Sequence, residues 1–288
     1  MWQVKEMKSF EGTLTLITGG SSGIGFALAR RLVQAGADVF ILARNKERLE
    51  SAIEALKLDL VNPDQKIGSI KADITDYKHL EKLLTGWVEQ EGIPDFVFNS
   101  AGVAHPGYFE ELDIEIFHWM MDVNYHGMVN VTKVLLPYMR NRASGHFINI
   151  SSEAGFIGIF GYTAYGASKY AVRGFSDALR AEMKPLGINV SIVFPPDTDT
   201  PQLAYENKIK PYETKVIAST SKTLTADLVA ERTLKGVQKN KYMIIPSLEG
   251  RIFYRLSSIL KHTTYRVMDL LVKSARKKKF RQMNVSDD

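Results

Sequence analysis

Thr18-Gly-Gly-Ser-Ser-Gly-Ile-Gly25 is the stretch on which the fold turns: it follows a β-rich run, Thr13 to Thr18, and opens a helical pattern, Phe26 to Gln34. Between a strand and a helix, Gly19, Gly23 and Gly25 permit a tight turn, let the backbone approach a pyrophosphate, and allow close helix packing. The turn also carries Ser21, Ser22 and Ile24 into the start of that helix, where N–H donors and the positive end of the helix dipole favour an anionic group.

Outward from this turn, β-rich runs alternate with amphipathic helical patterns. The further runs are Asp38 to Ala43, Lys66 to Ala72, Asp95 to Phe98, His146 to Ser151, Asn189 to Phe194 and Tyr242 to Ile245. Seven strands interleaved with helices predict an α/β fold, a single doubly wound, Rossmann-type parallel sheet flanked by helices. Runs such as Val39-Phe-Ile-Leu-Ala43 are apolar without alternation, as expected when helices cover both sheet faces. The spacing predicts one domain over residues 1–250 and an amphipathic, basic helical extension over 251–288. Residues 195–225 open with Pro195-Pro196 and read as a long excursion, the kind of loop that serves as a lid or binding segment.

Composition narrows the function. The chain has 288 residues, 45% of them hydrophobic, enough to bury a sizeable core. It has no cysteine, which excludes disulfides, thiolate metal sites and cysteine nucleophiles. The six histidines show no metal-ligand spacing, so no metal is assigned. The start, Met1 to Lys8, has charges where a signal peptide needs an apolar run, so no secretion is implied. The net charge is +5, but residues 251–288 carry ten Lys or Arg against three Asp, while the remainder has 27 basic and 29 acidic residues. That asymmetry favours a local anionic partner at the C-terminus over a nucleic-acid groove across the body.

Polar residues cluster where the strands end. An acidic residue after the second strand would bind a free ribose 2′-hydroxyl; this chain has Ala43-Arg44-Asn45 there, with Arg48 following. Arg44 offers a planar fork suited to a 2′-phosphate, which predicts NADPH rather than NADH. Asp73, with Ile74 beside it, is placed to accept from an adenine amino group. In Asn99-Ser-Ala-Gly102, small residues including Ala101 leave space for the cofactor. Tyr165-Gly-Ala-Ser-Lys169 sets a phenol and an ammonium one helical turn apart, a common spacing that gains meaning from its company. Tyr165 would protonate a nascent alkoxide and Ser152 would hydrogen-bond the same oxygen, with Ser151 the rival hydroxyl. Lys169 would lower the Tyr165 pKa and hold the nicotinamide ribose, and Asn124 would position a water that returns protons. Phe156, Phe160 and Tyr162 read equally as core or as the wall of a greasy substrate channel.

Thr18-Gly-Gly-Ser-Ser-Gly-Ile-Gly25, Asn99-Ser-Ala-Gly102, Asn124, Ser152 and Tyr165-x-x-x-Lys169, in this order, make the chain resemble the short-chain dehydrogenase/reductases over about residues 12–246. It departs from the usual pattern at Ser100, where a second asparagine is common, and at Pro195-Pro-Asp-Thr-Asp-Thr-Pro201, where Pro-Gly usually follows the sixth strand. That heptapeptide, Tyr205-Glu-Asn207, Phe160-Gly-Tyr-Thr-Ala-Tyr165 and Leu42-Ala-Arg-Asn45 are similar to the 3-ketodihydrosphingosine (3-dehydrosphinganine) reductase subfamily. The resemblance implies NADPH-dependent reduction of that sphingoid ketone to sphinganine. It carries nucleotide contacts over to Gly19, Ser21, Ser22, Gly23, Arg44, Arg48, Asp73 and Ile74, with Tyr165 and Lys169 at the reactive end. Pro195 and Pro196 would stiffen the loop beside the nicotinamide, and Asp197 to Thr200, with Thr198 and Thr200, would bind the carboxamide or the substrate's polar head.

Eukaryotic members of the subfamily carry an N-terminal membrane anchor that the reading does not find here, and a lipid substrate has to be reached at a bilayer. Residues 252–281 join an apolar helical face to Arg276-Lys-Lys-Lys279 and Arg281, which predicts peripheral docking on anionic lipid. A helix packed on the body, or a dimer partner with a solvated basic end, is the alternative reading. The expected location is cytoplasmic, peripheral on the cytoplasmic membrane face, at the endoplasmic reticulum in a eukaryote. Homo-oligomerisation through the helices flanking Asn124 and Tyr165 is implied by the resemblance alone. A reductase of another lipophilic ketone, steroid, retinoid or acyl, is the nearest rival, and a non-catalytic nucleotide-binding scaffold the more distant one.

Overall fold

The computed structural model describes residues 9–219, 222–260 and 263–285. The opening Met1 to Lys8, Lys261, His262, Asp287 and Asp288 lie outside the described residues. The chain runs through β1 (Leu14–Thr18), α1 (Gly23–Gln34), β2 (Asp38–Ala43), α2 (Lys46–Lys57), β3 (Ile67–Lys71) and α3 (Tyr77–Glu91). It continues through β4 (Phe96–Asn99), α4 (Ile114–Met121), α5 (Gly127–Arg142), β5 (Gly145–Ile150), α6 (Thr163–Met183) and β6 (Ile188–Val193). The last third holds β7 (Thr198–Asp199), α7 (Pro201–Ile209), α8 (Tyr212–Ala218), β8 (Leu224–Thr225), α9 (Ala226–Gln238), β9 (Met243–Ile244), α10 (Leu248–Leu260) and α11 (Thr263–Val285).

Seven strands form one sheet in the order β3-β2-β1-β4-β5-β6-β9, every neighbouring pair parallel. This is the expected doubly wound sheet. Its strand order reverses between β1 and β4, the place where such sheets open a crevice beyond their carboxyl ends. The two faces bury separate cores. Leu28, Leu32 and Val33 of α1 pack with Val39 and Ile41 on one face, and Leu80, Leu84, Val131 and Leu135 pack with Leu16 and Leu42 on the other. Val39 to Leu42 are therefore all buried, which explains the apolar run without alternation.

Local chemistry sets the helix starts. The Asn45 side chain accepts from the Arg48 N–H (2.7 Å), Asp76 from His79 (3.2 Å) and Thr225 from Leu228 (3.2 Å). Residues 195–225 are more ordered than a loop. Thr200 accepts from the Leu203 N–H (3.2 Å) and Pro201 occupies the first turn, which starts α7; α8 follows, and β7 pairs with β8 in a two-stranded sheet. The C-terminal extension, read as one helix, is two, α10 and α11.

A polar chain crosses the core under the sheet's rim. Asn99 Nδ2 donates to Asn149 Oδ1 (2.9 Å), Asn149 Nδ2 to Ser176 Oγ (2.9 Å), and Ser176 Oγ to the Val172 carbonyl (2.7 Å). All three side chains are buried, so each hydrogen bond lost strands a partner in a dry interior. Replacing Asn149→Ala is expected to cost about 1–3 kcal/mol of unfolding free energy, because Asn99 and Ser176 lose their shared partner. Denaturant titration checks this; an unchanged midpoint contradicts it.

Candidate active site

The site is built from the carboxyl ends of β1, β2, β4, β5 and β6. Gly19 turns at φ +68°, and a Cβ there would stand 2.7 Å from Ala101 Cα; a Cβ on Gly25 would collide with the Gly19 carbonyl. The turn therefore lies against the segment after β4, and Thr18 Oγ1 fastens the two by accepting from the Ser100 and Ala101 N–H groups (3.1 Å each). Ser22 stands before α1 with no side-chain capping bond, which leaves that helix start as a backbone cradle for an anion.

A cleft of about 550 Å³ opens over this rim. Gly19, Ser21, Ser22, Gly23, Ile24 and Gly25 line it from the first turn, and Arg44, Arg48, Asp73 and Ile74 from the ends of β2 and β3. Ala101, Gly102, Ser152, Tyr165, Lys169, Pro195, Thr198 and Thr200 line the remainder. Arg44 is more than half exposed, with its guanidinium 3.7 Å from the Asp73 carboxylate. Burial pushes the Asp73 carboxyl up, but hydrogen bonds from the Thr75 N–H (2.9 Å) and hydroxyl (2.8 Å), with Arg44 beside them, hold it below its ordinary value.

Asn99 and Asn124 stand outside the cleft. Asn99 belongs to the buried polar chain, and Ser100 takes the place on the rim. Asn124 sits in a π-helical turn, Asp122–His126, between α4 and α5. Its Oδ1 accepts from the Val103 N–H (2.7 Å), and its Nδ2 donates to the Val103 carbonyl and to Ser168 Oγ (2.9 Å each). The side chain thus clamps the loop after β4 to α6. Its amide is occupied by protein groups, which makes it a positioning residue in this geometry.

The reactive end is more sharply resolved. Ser151 Oγ is buried and donates to the Lys169 carbonyl (3.0 Å), so Ser152 is the hydroxyl that faces the phenol. Lys169 is buried, and its Nζ donates to the Ile150 carbonyl (3.1 Å) while standing 5.7 Å from the Tyr165 ring centroid. Burial alone lowers its pKa to about 8. The Tyr165 phenol is pushed up, first by burial, then by the negative field of Glu206 and also of Asp197, with Ser152 opposing. The expected depression of that phenol by Lys169 is therefore overridden here: burial disfavours both charged forms, and the charged groups that act on Tyr165, Glu206 and Asp197, are acidic.

Glu206, Tyr205, Gln202 and Lys210 receive no site role from the sequence, although Tyr205-Glu-Asn207 is part of the subfamily resemblance. The sequence predicts a loop there, and a loop offers no helix face on which to align them. Phe156 is buried in core against Phe194 (5.2 Å between ring centroids), whereas Tyr162 lines the cleft with its ring 5.5 Å from that of Tyr165. Among the described residues no group of three His, Asp or Glu is placed to hold a metal ion.

The chain belongs to the short-chain dehydrogenase family, whose pattern matches residues 13–210. It is 41% identical over 231 residues to a Danio rerio protein named 3-dehydrosphinganine reductase, covering 80% of this chain and 70% of that one. A Mus musculus 3-ketodihydrosphingosine reductase is 36% identical over 249 residues, covering 86% and 74%. Among solved structures, a short-chain dehydrogenase from Sphingobium yanoikuyae in complex with NADPH superposes with a TM-score of 0.73 at 25% identity, covering 89% of this chain and 95% of that one.

The Lys169 environment has a consequence for stability. Its pKa is about 8 in the folded chain and near 10.5 when exposed, so between these values the unfolded chain holds more protons. Its contribution to stability therefore grows as pH rises through that window. The difference in unfolding free energy between wild type and Lys169→Met is expected to change between about pH 8 and about pH 10, the wild type gaining relative to the variant. A constant difference contradicts the assignment.

Proposed function

We propose that this chain is an NADPH-dependent ketoreductase that converts 3-dehydrosphinganine to sphinganine in sphingolipid synthesis. The observation that carries the reading is the convergence of Ser152, Tyr165 and Lys169 at one end of a cleft whose other end presents Arg44. The relatives named for this reaction support the substrate. The residues fit the dinucleotide: Gly19 and Gly25, where a Cβ would collide with backbone, keep the turn tight beneath an uncapped helix start, and Arg44 and Arg48 supply positive charge where a 2′-phosphate discriminates the two coenzymes. Asp73 faces the adenine side, and Pro195, Thr198 and Thr200 frame the nicotinamide side.

Bound NADPH supplies the hydride that reduces the carbonyl carbon. Tyr165 Oη gives the proton to the carbonyl oxygen, and Ser152 Oγ donates a hydrogen bond to the same oxygen. Lys169 orients the ribose, and its charge favours the phenolate that Tyr165 leaves behind. Asn124 acts through position, holding the Val103 segment against α6.

A second groove of about 770 Å³ supports a lipophilic substrate. It runs between α11 and the segment before α6, lined by Ile159, Phe160, Tyr162, Met268, Val272 and Phe280. Ile159 and Tyr162 also line the first cleft, so a long alkyl chain attached to a ketone at Tyr165 has an apolar path outward.

Peripheral membrane docking through 252–281 belongs to the same proposal. Ile252, Leu256, Tyr265, Val267, Leu270 and Phe280 are exposed, beside exposed Lys277 and Lys278. Part of the basic run serves another purpose: Arg276 Nε lies 3.6 Å from Glu213, and Lys279 Nζ donates to Tyr108 Oη (3.3 Å), which ties α11 to the body. Among the described residues no helix is long and apolar enough to cross a membrane. Self-association is proposed from the family resemblance, and a cytoplasmic location from the nature of the coenzyme.

Wild type is expected to oxidise NADPH in the presence of 3-dehydrosphinganine, and Tyr165→Phe to lose roughly a thousandfold or more in kcat while still binding NADPH. Retained turnover in Tyr165→Phe contradicts the assignment. Arg44→Ala should raise the KM for NADPH by roughly tenfold or more and leave that for NADH nearly unchanged; equal effects on both remove Arg44 from coenzyme choice. Cosedimentation with anionic vesicles should vanish when the chain is truncated after Glu249, and unchanged binding sinks the docking proposal.

A further inference from the structure

Beside Tyr165 lies a buried acidic cluster that coenzyme binding and proton transfer leave unused. Glu206, on α7, is 6% exposed yet lines the cleft. One of its carboxylate oxygens accepts from the Tyr162 phenol and the other from Gln202 Nε2 (3.1 Å). Lys210 Nζ stands 3.9 Å from Glu206 and 3.5 Å from Asp197, with its side chain 1% exposed. One lysine thus serves two carboxylates. Lys169, the ammonium that lines the cleft, is turned to the Ile150 carbonyl. Glu153, whose side chain accepts from Ser247 Oγ (2.5 Å), adds a further acid to the same neighbourhood. A buried cluster with this excess of carboxylate is costly unless a cation completes it.

The substrate proposed above carries such a cation. 3-Dehydrosphinganine bears an amino group on the carbon next to its ketone, so its ammonium nitrogen is two bonds from the carbon that receives hydride. Tyr162, whose ring lies 5.5 Å from that of Tyr165, and Glu206, which accepts from the Tyr162 phenol, form one wall of the cleft beside the place the ketone oxygen would take. We infer that Glu206 is the ammonium-binding residue of the site and makes this enzyme selective for 2-amino ketones. The assignment rests on the reductase reading and names the part of the substrate that selects it. Asp197 is the lesser candidate, because its side chain is 35% exposed and Lys210 lies closer to it.

Geometry couples recognition to chemistry. The Glu206 charge opposes ionisation of Tyr165 more strongly than any other charged group does, and Glu206 itself is pushed up by burial. An ammonium beside Glu206 offsets that field, so the amino ketone both binds and makes the protonated Tyr165 phenol a stronger acid. A ketone without the amine does neither.

The test compares 3-dehydrosphinganine with 1-hydroxyoctadecan-3-one, which differs only in lacking the amine, in wild type and in Glu206→Gln, with NADPH binding measured for both proteins. Wild type is expected to favour the amino ketone by roughly ten- to a hundredfold in kcat/KM. Glu206→Gln should lose most of that preference by falling on the amino ketone, while activity on the amine-free ketone rises as the field opposing Tyr165 is removed. Equal turnover of the two ketones by wild type overturns the assignment without any variant. Equal losses on both ketones in Glu206→Gln, with NADPH binding intact, overturn it in favour of a structural role. Turnover of neither ketone by wild type overturns the reductase reading and this inference together.

Discussion

The site depends on how closely the two halves of the sheet are fastened at the β1/β4 seam. Thr18 Oγ1 accepts two N–H groups from the segment after β4, and Gly19 packs on Ala101 with no room for a side chain. Because the crossovers leave β1 and β4 in opposite directions, this is the one place where the carboxyl ends of the strands are not roofed by a connection. The seam fixes the glycine turn and the start of α1. The same segment after β4, clamped by Asn124 to Ser168 of α6, fixes the distance from that turn to Tyr165 and Lys169. A change at either fastening alters both ends of the cleft.

The electrostatics of the cleft are divided. At the outer end, Arg44 and Arg48 form a wet, positive mouth where screening is strong and specificity comes from geometry more than from energy. At the inner end, Lys169, Tyr165, Glu206 and Lys210 share a drier region in which each unpaired charge shifts its neighbours. Lys169 falls to about 8 and the Tyr165 phenol rises. On the proposed reading, coenzyme and substrate complete this arrangement, the one with its nicotinamide ribose beside Lys169 and the other with its ammonium beside Glu206.

Much of this was legible in the residues. The seven strands could be read because their apolar runs are bounded by turns, and Gly19, Gly25, Tyr165 and Lys169 because their spacing constrains backbone and helix geometry directly. Asn99 and Asn124 show where such reading stops. An asparagine at a strand end, like Asn99, or within a helical run, like Asn124, looks the same in sequence whether it faces the cleft or the core, and only the partners Asn149, Val103 and Ser168 decide it. Glu206 was hidden for a different reason. Pro195 and Pro196 suggest a loop, and Thr200, which caps the helix that Pro201 starts, reads in the sequence only as a contact to the carboxamide or the substrate's polar head. The C-terminal extension was legible as amphipathic, but its division into α10 and α11 and the pairing of Arg276 with Glu213 depend on tertiary contacts.

The central claim is that hydride passes from NADPH to the sphingoid ketone while Tyr165 supplies the proton. Incubation of the full chain with 3-dehydrosphinganine and NADPH deuterated at the transferable position of its nicotinamide, followed by mass spectrometry and NMR of the product, tests it directly. The expected result is sphinganine carrying one deuterium on carbon 3, with the hydroxyl proton drawn from solvent. Sphinganine without deuterium at that carbon, or no conversion of the ketone, contradicts it.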